Sequence, residues 1–156
     1  MRKVIRGPLP ALALSLLMAG TVLATTASGF SPTPLARGTM SGSVHFNTGE
    51  IKLQTKASTD FAMATVTFAP EGSSGWHSHP GVVLVTVKSG SVVVYEADCT
   101  ATVQDAGSSF IESGDLAGLV RNESTTTNAV VYVTYIVPTG TPALRIDQPN
   151  PGCPQS

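Results

Sequence analysis

The sequence predicts an all-β chain, folded as an antiparallel sandwich or barrel, and three observations carry that expectation. Apolar and polar residues alternate over short runs, as in Ile51-Lys52-Leu53-Gln54-Thr55-Lys56 and again from Ala62 to Phe68. Alternation with period two marks a strand with one buried face. No stretch beyond residue 41 carries apolar residues at the helical period of 3.6. Turn-forming clusters of Gly, Pro, Ser and Asp separate the runs at roughly ten-residue spacing, the rhythm of an all-β domain.

The chain has 156 residues, which favours one domain. Residues 1–27 read as a secretory signal peptide. Arg2, Lys3 and Arg6 supply a positive start, an apolar stretch runs from Leu9 to Ala24, and small residues follow at Ala24, Thr25 and Ala27. Cleavage after Ala24 or after Ala27 satisfies the small-residue rule. An uncleaved anchor is the alternative, but Gly20 and Thr21 interrupt the second half of the stretch and favour cleavage. The expected location is therefore extracytoplasmic, with membrane contact only through the signal segment. Removing it leaves six basic side chains against ten acidic, a net charge of −4. That argues against a nucleic-acid or anionic-membrane partner, either of which requires a basic patch to displace counterions.

Residues 28–41 (Ser-Gly-Phe-Ser-Pro-Thr-Pro-Leu-Ala-Arg-Gly-Thr-Met-Ser) read as an extended, flexible N-terminal arm, and residues 42–156 as the barrel domain. Pro70 to Gly75 is a loop. Val82 to Val87 is a continuous apolar strand, Lys88-Ser89-Gly90-Ser91 reads as a hairpin turn, and Ser91 to Tyr95 returns as its partner. Further strands are expected at Ser108–Glu112, Leu116–Arg121 and Ala129–Val137, the last rich in Val, Tyr and Ile. The tail from Pro138, rich in Pro and Gly, is expected to be pinned only by Cys153.

The chemistry concentrates in Gly75-Trp76-His77-Ser78-His79-Pro80-Gly81. On an extended segment His77 and His79 share a face, roughly 7 Å apart along the strand. Two converging imidazoles can ligate a divalent metal or hydrogen-bond a small molecule. Trp76 points to the opposite face and reads as packing. Cys99 and Cys153 are the only cysteines, and an even count in an exported chain reads as one disulfide. The competing Cys/His metal site lacks a C-x-x-C pattern.

Gly72 or Gly75, His77, His79 and Gly90 resemble the first motif of the cupin family, jelly-roll β-barrels whose first motif also carries a Glu. Gly107 and Asn122 match the second motif, and Arg145-Ile146-Asp147 with Pro149 and Pro151-Gly152-Cys153-Pro154 is similar to small secreted bacterial single-domain cupins of the cupin 2 type. The resemblance covers about residues 36–154 and implies a cupin-type antiparallel barrel. It also implies a site of three His and one Glu holding a divalent metal (Mn, Fe, Zn, Cu or Ni). Two ligands are missing: the Glu position falls on Val83 or Leu84 and the third His on Gly118. Glu112, placed near a hairpin tip, His45 on an early strand, a substrate or a neighbouring chain could complete the set. Asn122 reads as satisfying backbone groups at a strand end, although Asn122-Glu123-Ser124 fits the glycosylation pattern.

Three functions follow. The first is a small-molecule binding protein with a degenerate metal site, weakly loaded or empty. The second is a metal-dependent cupin enzyme (dioxygenase, isomerase or lyase type) using His77, His79 and a further ligand. The third is an assembly module that forms a homodimer.

Overall fold

The computed structural model describes residues 24–154, so the charged and apolar parts of the expected signal segment lie outside the described residues. Twelve strands and no helix are found among the described residues: β1 (Ser28–Met40), β2 (Val44–Asn47), β3 (Lys52–Thr55), β4 (Thr59–Ser73), β5 (His77–Ser78), β6 (Val82–Ser89), β7 (Ser91–Glu96), β8 (Ala101–Asp105), β9 (Ser109–Ser113), β10 (Gly118–Arg121), β11 (Ala129–Pro138) and β12 (Ile146–Asp147). They form two antiparallel ladders, β1–β4–β11–β6–β9 and β12–β5–β10–β7–β8, joined where Ser73 pairs with Arg121. The short hairpin β2–β3 stands apart as its own sheet.

The ladders face each other and close a jelly-roll barrel. Alternation decides which side chains enter it: along β6, Val83, Val85 and Val87 are buried while Val82, Leu84 and Thr86 face out. Val66 and Phe68 of β4 and Val131 and Val133 of β11 meet Val92 and Val94 of β7 and Val120 of β10 across the interior. The outer face of the second ladder is also covered. Trp76, Val93, Tyr95 and Leu119 pack with Cys153 of the tail, which is why β7 is buried on both faces.

Three sequence expectations are corrected here. Residues 28–40 are not a free arm but a paired strand, in register with β4 from Phe30↔Phe68 to Met40↔Thr59, with a shift between Pro34 and Ala36. Their Pro- and Ser-rich composition suits an edge strand, where missing N–H donors cost little and discourage further pairing. Asp60 fastens the strand. Its carboxylate accepts from Thr39 Oγ1 (2.7 Å), from Arg37 Nη2 (2.7 Å) and from the Gly140 N–H (3.2 Å). The Thr39 and Arg37 contacts hold its pKa at about 2.

The second correction concerns the turn at 88–91. β6 and β7 do not form a hairpin: β6 pairs with β11 and β9, while β7 pairs with β10 and β8. Gly90 carries the chain from one ladder to the other at a φ of 73°, and a Cβ there would lie 2.7 Å from the Asn128 carbonyl oxygen. A left-handed residue hemmed in by backbone must be glycine.

Third, the tail is held by more than its cysteine. Ile146 and Asp147 pair with Ser78 and His77, the Gln148 N–H donates to the Trp76 carbonyl (2.9 Å), and Thr25 N–H donates to the Gln148 carbonyl (3.2 Å). The disulfide joins Cys99 to Cys153, 54 residues apart. Asn122 is buried at 1 % exposure, its amide nitrogen donating to the Phe68, Ala69 and Thr127 carbonyls, so it braces backbone and is closed to glycosylation.

Closing a loop of this size stabilises a chain by about 4 kcal/mol in the entropic model. Cys99→Ser is therefore expected to lower the Tm by on the order of 10–20 °C with the far-UV circular dichroism still that of a β protein. An unchanged Tm, read by differential scanning calorimetry, would show that the strand pairing alone secures the tail.

Candidate metal centre

His77 opens the two-residue strand β5 and His79 directly follows it; both are buried at 6 % exposure, their rings 4.8 Å apart and nearly perpendicular. Each ring is fixed by a main-chain carbonyl. His77 Nδ1 lies 2.9 Å from the Gly75 oxygen, and His79 Nδ1 lies 2.7 Å from the Leu144 oxygen. A carbonyl can only accept, so in each neutral ring Nδ1 carries the proton and Nε2 presents its lone pair. Gly75 makes its contribution from a φ of 66°, with Thr25 O only 2.7 Å from where a Cβ would stand.

Both Nε2 atoms face Glu112. His77 Nε2 is 3.7 Å from one carboxylate oxygen, and His79 Nε2 is 3.4 Å from the other. The strand register explains the approach. Glu112 sits inside β9 directly opposite Val83 of β6, so it points with Val83 into the barrel. It is not at a hairpin tip, because β9 pairs with β6 rather than with β10. The carboxylate expected at position 83 or 84 is thus supplied one strand over.

Among the described residues, these three are the one group of His, Cys, Asp and Glu whose ligand atoms (within 4.8 Å of one another) could hold a metal ion. Burial, opposed in part by Glu112, pushes the His77 pKa down to about 4. Burial also opposes ionisation of Glu112, but the His79 contact, the His77 ring and the Arg145 charge outweigh it and hold its carboxyl below the usual range. At neutral pH the centre therefore presents a carboxylate with a neutral His77. His79 Nε2 is buried with no hydrogen-bond partner. A protonated imidazole can pair with the Glu112 carboxylate directly, whereas with both Nε2 atoms proton-free their lone pairs repel it unless a cation lies between them. The donor set of two imidazoles and one carboxylate suits a first-row divalent ion.

The other sequence candidates fall elsewhere. His45 is exposed on the β2–β3 hairpin opposite Gln54, outside the barrel. Val83 and Leu84 offer no ligand atom. Gly118 pairs directly with His77, where an imidazole would have completed the set, and a Cβ there would meet only the Tyr95 oxygen at 3.6 Å. Its missing side chain leaves a cavity of about 50 Å³ beside the centre, lined also by Glu96 and Leu116. On the inner side lies a second cavity of about 30 Å³, walled by Phe30, Val85, Phe110, Tyr135 and Arg145. Trp76 is fully buried in the outer cluster and does not line either space. Nothing in the sequence placed Tyr135 or Arg145 at the site, Arg145 figuring there only in the terminal signature. Tyr135 lies 5.7 Å ring-to-ring from His79, and its place in an apolar strand gave no signal.

No family model matches the chain, and no curated protein matches it. Solved structures similar to it include a cupin-like protein from Thermotoga maritima, 18% identical over 58% of this chain and 65% of that one, with a TM-score of 0.49. An uncharacterised protein with a double-stranded β-helix domain from Klebsiella pneumoniae is 16% identical over 56% and 76%, with a TM-score of 0.48. Recombinant oxalate oxidase in complex with glycolate is 26% identical over 47% of this chain, with a TM-score of 0.43; the chain spans about 40% of that protein's length.

In the metal-free protein the His77 ring is expected to titrate near pH 4 rather than at its usual 6.5. The unfolded chain takes up a proton at 6.5 that the folded chain refuses until 4, so His77 makes folding less favourable as pH falls through that window. An NMR titration of the imidazole resonances checks it, and a midpoint between 6 and 7 would contradict the burial argument.

Proposed function

We propose that this chain is an exported cupin-type barrel that holds a divalent metal on His77 Nε2, His79 Nε2 and a Glu112 carboxylate oxygen, and binds a small molecule beside it. The observation that carries the reading is the pair of main-chain carbonyls. They take the Nδ1 protons of both imidazoles and leave two Nε2 lone pairs facing a buried carboxylate. A divalent ion there supplies Lewis acidity toward an oxygen or nitrogen of the bound molecule.

The chain's own residues do the rest. The Gly75 and Leu144 carbonyls orient the rings, Val85 and Phe110 keep bulk water from the inner side, and Gly118 leaves the outer side open. Export is supported by the signal-like N-terminus and by the disulfide, which an oxidising compartment permits. A second reading, a metal-dependent enzyme, is favoured by one observation. Three protein ligands with cavities on both sides leave coordination positions free for a reacting molecule.

Metal analysis of the mature protein tests the first claim. About one ion per chain is expected in the wild type after exposure to Mn, Fe, Zn, Cu and Ni in turn. His77→Ala/His79→Ala and Glu112→Ala, verified as folded by circular dichroism, should lose it. No metal under any loading would overturn the assignment.

A further inference from the structure

Arg145 stands between two spaces. It lines the small inner cavity next to the His77–His79–Glu112 group and a larger chamber of about 590 Å³, half-open to solvent, whose lining includes the exposed Pro32 and Leu35, the buried Ala62 and Ala64, and Leu144. Phe30 and Tyr135 line both spaces as well. The Arg145 guanidinium donates through Nε to Oδ1 of the exposed Asp147 at 2.7 Å, and its Cζ lies over the Phe30 ring, 5.7 Å from the centroid. Its two terminal nitrogens are buried and hydrogen-bond to nothing.

Arginine cannot shed its charge, so four N–H donors without acceptors are a sizeable cost in a shielded site. Asp147, the only ion-pair partner of Arg145 among the described residues, is engaged at Nε. Glu112 is turned toward the two histidines. The group that fits a free guanidinium fork is a planar anion accepting two parallel hydrogen bonds, a carboxylate. The adjoining chamber has the size and apolar lining of a pocket for a small organic molecule.

We propose that the molecule bound by this barrel is a small monocarboxylate, its carboxylate held in the fork of Arg145 and its apolar body in the chamber walled by Leu35, Ala62 and Leu144. This rests on the small-molecule reading given above and names its chemical class. The carboxylate brings the negative charge that Arg145 lacks, while Glu112 stays with the imidazoles. Inorganic phosphate, tetrahedral and without an apolar body, satisfies the fork but not the chamber.

The test is isothermal titration of the full mature chain with acetate, butyrate, benzoate and 3-phenylpropionate, each against its neutral amide and against inorganic phosphate. Metal content is measured on the same samples. At least one carboxylate is expected to bind ten-fold or more tighter than its amide and tighter than phosphate. Arg145→Gln should abolish that preference, and Arg145→Lys should restore part of it, both with metal content unchanged. The proposal is overturned if no carboxylate is preferred over its amide, if phosphate binds best, or if the preference survives Arg145→Gln. Where Arg145→Gln does not fold, loss of half or more of the preference in Arg145→Lys supports the proposal and an undiminished preference overturns it. A wild type without metal that still selects carboxylates through Arg145 would count against the metal assignment and not against this one.

Discussion

His77 and His79 each commit one ring N–H to a main-chain carbonyl, and the rest of the centre depends on that pair of hydrogen bonds. They set the tautomer, the ring direction and the proton-free nitrogen of both imidazoles before any ligand arrives. The two carbonyls come from different places. Gly75 lies just ahead of β5, and Leu144 lies in the tail, 65 residues beyond His79. The metal group is therefore only as ordered as the tail that supplies its second carbonyl.

That dependence gives the C-terminal segment a role its composition does not suggest. Residues 144–153 contribute the Leu144 carbonyl, the Arg145 guanidinium, the β12 pairing with β5 and the cysteine that closes the loop to Cys99. The segment also covers Trp76 and Leu119 on the outer face of the second ladder. A Pro- and Gly-rich tail forms little regular structure of its own, so the disulfide and the β5 pairing hold it against the barrel. Beside the same tail, Thr25 and Trp76 are joined through a 2.6 Å hydrogen bond from the Trp76 N–H to the Thr25 hydroxyl, and Thr25 N–H donates to the Gln148 carbonyl. Both ends of the described chain thus converge behind the histidines.

Much of the fold was legible because alternation reports burial directly. Ala62 to Phe68, Val82 to Val87 and Ala129 to Val137 all lie in strands, whereas the alternating run at residues 51–56 forms a hairpin strand with no buried face. What stayed hidden was partnership. Nothing local in Lys88-Ser89-Gly90-Ser91 distinguishes a hairpin from a crossing between ladders, because that choice is made by β11 and β10 from far along the chain. β1 was unreadable as a strand because an exposed edge needs no alternation. In the site, the two histidines announced themselves by spacing, whereas Glu112 needed the β6–β9 register to bring it opposite Val83. Arg145 was visible only as part of a terminal signature, since its unpartnered nitrogens exist only once the tail is folded against Phe30.

The most direct test of the account is anomalous diffraction at the zinc edge from crystals of the mature protein grown with zinc. The account predicts a peak about 2.0–2.2 Å from Nε2 of His77, Nε2 of His79 and one oxygen of Glu112, with both Nδ1 atoms still on their carbonyls. Crystals with zinc bound elsewhere and none between these three residues would contradict it.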